Sequence, residues 1–246
     1  MSYRLRLRFK KRGASKYISH LDLVATMTRA MRRAGLRLEY SQGFNPHPYL
    51  SVAIPLPVGC SSECELMDFA AEIDLLPEGL AVSLNKALPD GLEITDVYPP
   101  IQKFSNIKWI EVCGSLIYDA GLPPDAMRRI TERFTMGNIQ ISKKTKRGVS
   151  DIDIAPFIRD IEVLDDIAYS RGDNAIPPAY LEYPIENQAF ARGTELFLRA
   201  KLSAQEPSVS TDNLISALDG EFSDLLPDFA SFVRIEVFDG EMNVFK

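Results

Sequence analysis

The sequence predicts an α+β protein made of two tandem ferredoxin-like (βαββαβ) units with antiparallel sheets. Three observations carry this reading. Several stretches alternate strictly between apolar and polar residues, as half-buried strands do. Between them lie amphipathic runs opened by Ser or Pro, as helices are. The order strand-helix-strand-strand-helix-strand then occurs twice, on either side of the segment YPPIQKFSN at 98–106. The expected units are residues 1–99 and residues 107–246, the second with an inserted loop. A chain of 246 residues is long enough for two cores of this size.

The first unit opens with Tyr-Arg-Leu-Arg-Leu-Arg-Phe-Lys at 3–10. Period-2 alternation places Tyr3, Leu5, Leu7 and Phe9 inward, and Arg4, Arg6, Arg8 and Lys10 on the other face. A basic loop, Lys11 to Lys16, follows around Gly13. Ser19 and Asp22 have the spacing of a capping box, with Asp in place of the usual Glu or Gln. Leu23, Met27, Ala30, Met31 and Ala34 share one helical face, and Gly35 stands where a left-handed cap belongs. At 100° per residue, Asp22, Thr26, Arg29 and Arg33 form a second stripe, and His20 falls nearer the apolar edge. Residues 36–58 read as extended and irregular, with a strand at YLSVAI. CELMDFAAEI is the next strand, with Met67, Phe69, Ala71 and Ile73 on one face. Pro77 opens a short helix, and GLEITDVY closes the unit.

The second unit repeats the order. KWIEVCGSLIY is a strand, PPDAMRRITERF a proline-opened helix ending near Gly137, and NIQISKKTKRG a strand running into a basic turn. Residues 151–165 hold a short turn or helix and a strand. Residues 170–192, with Pro177, Pro178 and Pro184, read as a long loop. TELFLRAKL, STDNLISALDG and SFVRIEVF then give strand, capped helix and strand.

Charge is unevenly placed. Residues 1–40 hold eleven Lys/Arg against two Asp/Glu, whereas the rest of the chain holds 17 against 32. A basic zone on an acidic protein points to an anionic partner. Both histidines, His20 and His47, lie in the first fifth of the chain, within YISHLDL and YSQGFNPHPYLS. Pro46 and Pro48 limit the entropy of the second segment, which leaves the far end of the basic helix. Arg29, Arg33 and Arg37 are therefore candidate phosphate contacts, and Tyr40 or Phe44 could stack on a base. Asn45 and His47 belong to the same segment, and Arg8 and Lys10 are weaker candidates. KKTKR at 143–147 could extend a phosphate-contacting track.

Other chemistry is poorly supplied. There is no phosphate-binding glycine loop, dinucleotide fingerprint or nucleophile elbow. His20 and His47 are weak candidates for general acid–base cleavage of RNA, since helix capping already accounts for Ser19 and Asp22. Cys60 and Cys64 have the first spacing of the C-x3-C-x2-C iron–sulfur motif, but the third position is Met67, whose thioether does not replace a thiolate. A zinc site from Cys60, Cys64, His20 and His47 would need ligands from distant segments. No cofactor or metal is expected. Three sparsely spaced cysteines fit a reducing cytoplasm. The alternating, charged start is not a signal peptide, and no apolar run approaches the ~18 residues of a membrane span, so no membrane is expected.

The blocks ISHLD, RAMRRAGL, YSQGFNPHP and PLPVGCSSECE occur in order within residues 6–73, with IDIAPFI at 152–158. With these blocks the chain resembles the radical-SAM-linked protein family, a domain of unknown function found beside, or fused to, cobalamin-type radical S-adenosylmethionine proteins. The resemblance implies a radical SAM/cobalamin protein encoded nearby as partner, and it assigns no catalytic residues. The element order also resembles, as an analogy of fold alone, the RNA-binding and RNA-processing proteins of the CRISPR RAMP superfamily. The expected function is an accessory, non-catalytic RNA-binding protein that presents an RNA substrate to the radical SAM enzyme. The alternatives are a metal-independent RNA-processing endonuclease of RAMP-like type and a pure protein-docking subunit of that enzyme.

Overall fold

A computed structural model describes residues 2–72, 79–145, 148–165 and 194–246. It is a mixed α+β structure, mostly strands in antiparallel pairing, with few helices. The chain divides into two compact units. One comprises Met1–Asn106 with Phe245–Lys246, and the other Ile107–Val244.

In the first unit β1 (Ser2–Lys11) is central. It pairs antiparallel with β4 (Ser61–Glu72) on one side and β5 (Leu92–Tyr98) on the other. Two short strands, β2 (Arg37–Leu38) and β3 (Leu50–Val52), both pair antiparallel with β4. Leu5, Leu7 and Phe9 are buried, and the register sets them opposite Phe69, Met67 and Glu65 of β4. Helix α1 (His20–Arg33) packs Leu23, Met27 and Met31 into the same core. Helix α2 (Leu80–Asn85) adds Leu80 and Leu84. Gly35 has φ +86°, which a side chain would strain, so the helix exits there.

The alternation in β1 is right for three of its four apolar residues and misleading at two positions. Tyr3 is 41% exposed rather than inward. Arg6, expected on an outer face, is fully buried. Its guanidinium lies over the rings of Phe104 (4.3 Å) and Phe245 (5.1 Å), so its side of the sheet is covered too. Ser19 caps α1 by accepting from the Asp22 N–H at 3.2 Å, yet the Asp22 carboxylate takes the Ser19 hydroxyl (2.8 Å). The pair is thus a cap without the reciprocal backbone bond of a capping box. Ile73 and Pro77, expected in a strand and at a helix start, lie outside the described residues.

In the second unit β6 (Trp109–Ile117) is central, buried along its whole length. It pairs antiparallel with β10 (Glu195–Ser203) and β11 (Phe229–Phe238), and β9 (Ile158–Asp165) pairs with β10. A strand with no exposed residue is covered on both faces. Gly114 is required there, because a Cβ would come within 2.3 Å of the Phe232 ring. Helices α3 (Ala126–Thr135) and α4 (Thr211–Ser216) belong to the same unit, the latter with a full capping box between Ser210 and Asn213.

NIQISKKTKRG is not a strand of this sheet. Its residues Gln140–Thr145 form β7, which pairs antiparallel with β8 (Gly148–Asp153) in a separate two-stranded sheet. The Asp153 carboxylate closes its base by accepting from the N–H groups of Ile139 (2.8 Å) and Ala155 (3.0 Å). The side chains of the KKTKR cluster and the loop at 170–192 lie outside the described residues.

Candidate nucleic-acid interface

The C-terminal half of α1 sets three arginines, Arg29, Arg32 and Arg33, on the surface. Arg29 donates to the Thr26 hydroxyl at 3.2 Å, its neighbour on the predicted stripe. Arg33 donates to the Ala87 carbonyl. Arg37 begins β2, exposed, with Glu72 as its cross-strand partner in register. None of these four arginines has an ion pair with a carboxylate among the described residues. Basic residues in a helix's last turn also suit the helix dipole, so their position alone does not specify a ligand.

The segment after β2 closes into a tight loop. Tyr40 bridges Pro48, the Tyr49 N–H donates to the Glu39 carbonyl (2.9 Å), and the Ser41 N–H donates to the His47 carbonyl (2.8 Å). The Ser41 hydroxyl accepts from the His47 N–H (3.1 Å) and lies 2.9 Å from His47 Nδ1. Nδ1 is also 3.4 Å from the Asn45 carbonyl. His47 is therefore a staple across the loop neck. Gly43, at φ +129°, supplies a turn that a side chain would resist. Beyond the neck Gln42, Asn45 and Phe44 are exposed, and Phe44 is exposed completely. Arg32, which sequence reasoning did not single out, ties the loop to the helix. Its guanidinium donates to the Tyr40 hydroxyl and lies 5.4 Å from the centre of the Tyr40 ring.

Arg32, Tyr40, Asn45 and His47 are thus joined by this chain of contacts, with Phe44 at the loop tip. The other candidates stand apart. His20 is exposed at the first residue of α1 and does not pack beneath the helix. Arg32 lies twelve positions further along the helix, roughly 18 Å along the axis. Lys10 is held between Glu63 (3.9 Å) and Glu93 (3.6 Å). Arg8 is half-buried and already partnered. Much of the basic charge of residues 1–40 is spent internally. Arg6 is paired with Asp68 at 2.6 Å, and Arg12 forks onto Glu63. Lys11 is buried, donating to the carbonyls of Lys16 and Ile18 at 3.2 Å each. Their alternation with apolar residues gave no sign of this.

Among the described residues no three His, Cys, Asp or Glu side chains converge as a metal site, and no helix is long and apolar enough to cross a membrane. Residues 4–186 match the family described as "Uncharacterized protein conserved in bacteria (DUF2344)". The chain belongs to this bacterial family. Its blocks around α1 and the Ser41–His47 loop fall inside the matched span, as do β2 through β9 and most of β1. No curated protein matches. Among solved structures, the chain is similar at 11% identity to an unknown protein from Galdieria sulphuraria, covering 94% of this chain and 96% of that one with a TM-score of 0.25. It is also similar at 11% identity to Thermus thermophilus Cse3 bound to an RNA representing a pre-cleavage complex, covering 94% and 99% with a TM-score of 0.18. With TM-scores below 0.5, neither likeness bears on fold or function.

Proposed function

We propose that this protein is an accessory RNA-binding protein that holds single-stranded RNA on the C-terminal half of α1 and the Tyr40–Tyr49 loop. The observation that carries the reading is a fully exposed Phe44 on a loop that His47 and Ser41 staple and Arg32 ties to α1, in a unit where Arg29, Arg32, Arg33 and Arg37 lack carboxylate partners among the described residues. Single-strand binders combine cations that track phosphates with aromatic rings on which bases stack. A rigid loop lowers the entropy lost when Phe44 meets a base. The resemblance to the radical-SAM-linked family supplies the rest of the proposal, that the RNA is presented to a radical SAM/cobalamin enzyme encoded nearby. We read both units as ferredoxin-like. The strand orders β5-β1-β4 with β2 and β3 beyond β4, and β11-β6-β10-β9, support that reading.

The test is titration with a single-stranded RNA at several salt concentrations. Arg29→Ala with Arg33→Ala removes about two phosphate contacts, so the slope of log K against log salt should fall by roughly 1.4. Thermal unfolding should move little, since exposed substitutions usually stay within about 0.5 kcal/mol. Equal slopes at equal stability would remove α1 from the RNA surface. Recovery of the radical enzyme in a nuclease-treated pull-down would then favour the protein-docking alternative.

A further inference from the structure

The second unit holds a cavity that RNA binding by the first unit does not use. Its volume is about 830 Å³, and it opens where β6 and β9 begin, β10 ends and the chain turns after β11. That size lies within the range of small-molecule sites, roughly 300–1,000 Å³. Lys108, Trp109, Phe157, Arg159 and Glu206 are among its lining residues.

Three features of the lining point to one class of ligand. First, Lys108 and Arg159 are exposed and have no carboxylate partner among the described residues, whereas nearby Lys201 is neutralised by Asp160 at 2.6 Å. Two unspent cations favour an anion. Second, the Arg159 guanidinium lies 4.1 Å from the centre of the Trp109 ring. The indole holds it by cation–π attraction without using any of its N–H donors, which remain available for a fork onto phosphate. With Phe157 also in the lining, this stack offers a flat surface to a planar ring. Third, Glu206 is the only carboxylate of the lining, and it is exposed and unpaired among the described residues. Beside two cations, a lone carboxylate acceptor suits neighbouring sugar hydroxyls, as acidic residues do for ribose elsewhere.

We propose that this cavity binds a nucleoside monophosphate. Lys108 and Arg159 hold the phosphate, the base lies against Phe157 and the Arg159–Trp109 stack, and Glu206 accepts from the ribose hydroxyls. The proposal is independent of the RNA surface on α1, being built from different residues of a different unit. The same chemistry could come from a free nucleotide or from the phosphorylated end of an RNA.

Trp109 is the sole tryptophan of the chain, so its fluorescence reports on this cavity directly. The full-length protein is titrated with AMP, adenosine, 2′-deoxy-AMP and a 5′-phosphorylated pentanucleotide, the last in the Arg29→Ala/Arg33→Ala background to weaken binding by the first unit. Saturable quenching by AMP is expected, with adenosine at least tenfold weaker. Lys108→Ala and Arg159→Ala should each weaken AMP by about tenfold, as loss of a charged hydrogen bond implies. Because Arg159→Ala also changes the surroundings of the indole, that variant is measured by calorimetry, with thermal unfolding as the folding control. Glu206→Gln should narrow the preference for AMP over 2′-deoxy-AMP. A pentanucleotide that binds more tightly than AMP assigns the cavity to an RNA end, and the reverse order assigns it to the free nucleotide. Absence of saturable quenching by every phosphate-bearing ligand, or equal affinity for AMP and adenosine, overturns the proposal.

Discussion

Arg6 is a fully buried charge held on several sides. It donates twice to the Asp68 carboxylate (2.6 and 2.9 Å) and once to the Gln102 carbonyl (2.8 Å), between the rings of Phe104 and Phe245, while its Nη1 has no hydrogen-bond partner. Removing Asp68 would leave an uncompensated buried cation. Asp68→Ala should therefore destabilise by about 3 kcal/mol, the low end for a broken buried pair because Asp68 itself is partly exposed. Urea unfolding measures this, and a loss below about 1 kcal/mol would mean that water reaches the guanidinium. The alternation of β1 could not reveal Arg6 as buried, because the groups that cover it come from positions 98 and 239 residues further along the sequence. The cysteines give a second residue-scale expectation. Burial pushes the Cys113 thiol up to about 12, so at pH 8 its thiolate is essentially absent. Cys64 is also buried, whereas Cys60 is half-exposed. A thiol reagent at pH 8 should react quickly with one thiol in the native protein and with three in denaturant. Rapid reaction of two or more in the native state would contradict the burial of Cys113 or Cys64.

At the scale of elements, α1 was legible almost to the residue. Its apolar spacing, its Ser19 start and its Gly35 exit are local signals, and local signals survive folding. Ser19→Ala should cost about 1 kcal/mol by removing the cap. RNA affinity should be unchanged, since the cap is at the end of α1 away from the arginines. A drop in affinity at unchanged stability would move the RNA surface towards His20. The Tyr40–Tyr49 loop was legible only in part. Its prolines and glycine marked a constrained turn, but the Ser41–His47 staple and the tie from Arg32 to Tyr40 depend on pairings that a linear pattern does not carry. The β7–β8 pair shows the same limit. The sequence marked NIQISKKTKRG as a strand running into a basic turn, yet nothing in it named β8 rather than the main sheet as its partner.

Over the whole molecule, charge divides with the chain. Residues 1–106 hold 13 Lys/Arg against 11 Asp/Glu, and residues 107–246 hold 15 against 23. The internal pairs of Arg6, Lys10 and Arg12 remove those charges from the free basic surface of the first unit, and the four arginines of α1 and β2 remain on it without a carboxylate partner among the described residues. A long polyanion should therefore be drawn to those arginines and repelled over most of the acidic second unit, whereas a single phosphate can still reach Lys108 and Arg159 because one charge meets little of that repulsion. The two proposed ligands should then differ in salt response. RNA that contacts several phosphates loses affinity with a slope near 0.7 per contact, while a mononucleotide has only one phosphate to contribute. Stacking is separable from charge by the same logic. Phe44→Ala should weaken RNA by about 1–3 kcal/mol with an unchanged salt slope, because a ring releases no counterions. Photocrosslinking the full chain to an RNA containing 4-thiouridine locates the contacts independently. The crosslinked peptide should contain Tyr40 and Phe44, and the yield should fall in Phe44→Ala. Crosslinks confined to residues 107–246, with the Phe44 variant indistinguishable from wild type, would transfer the RNA surface to the second unit and leave the exposed loop without a ligand.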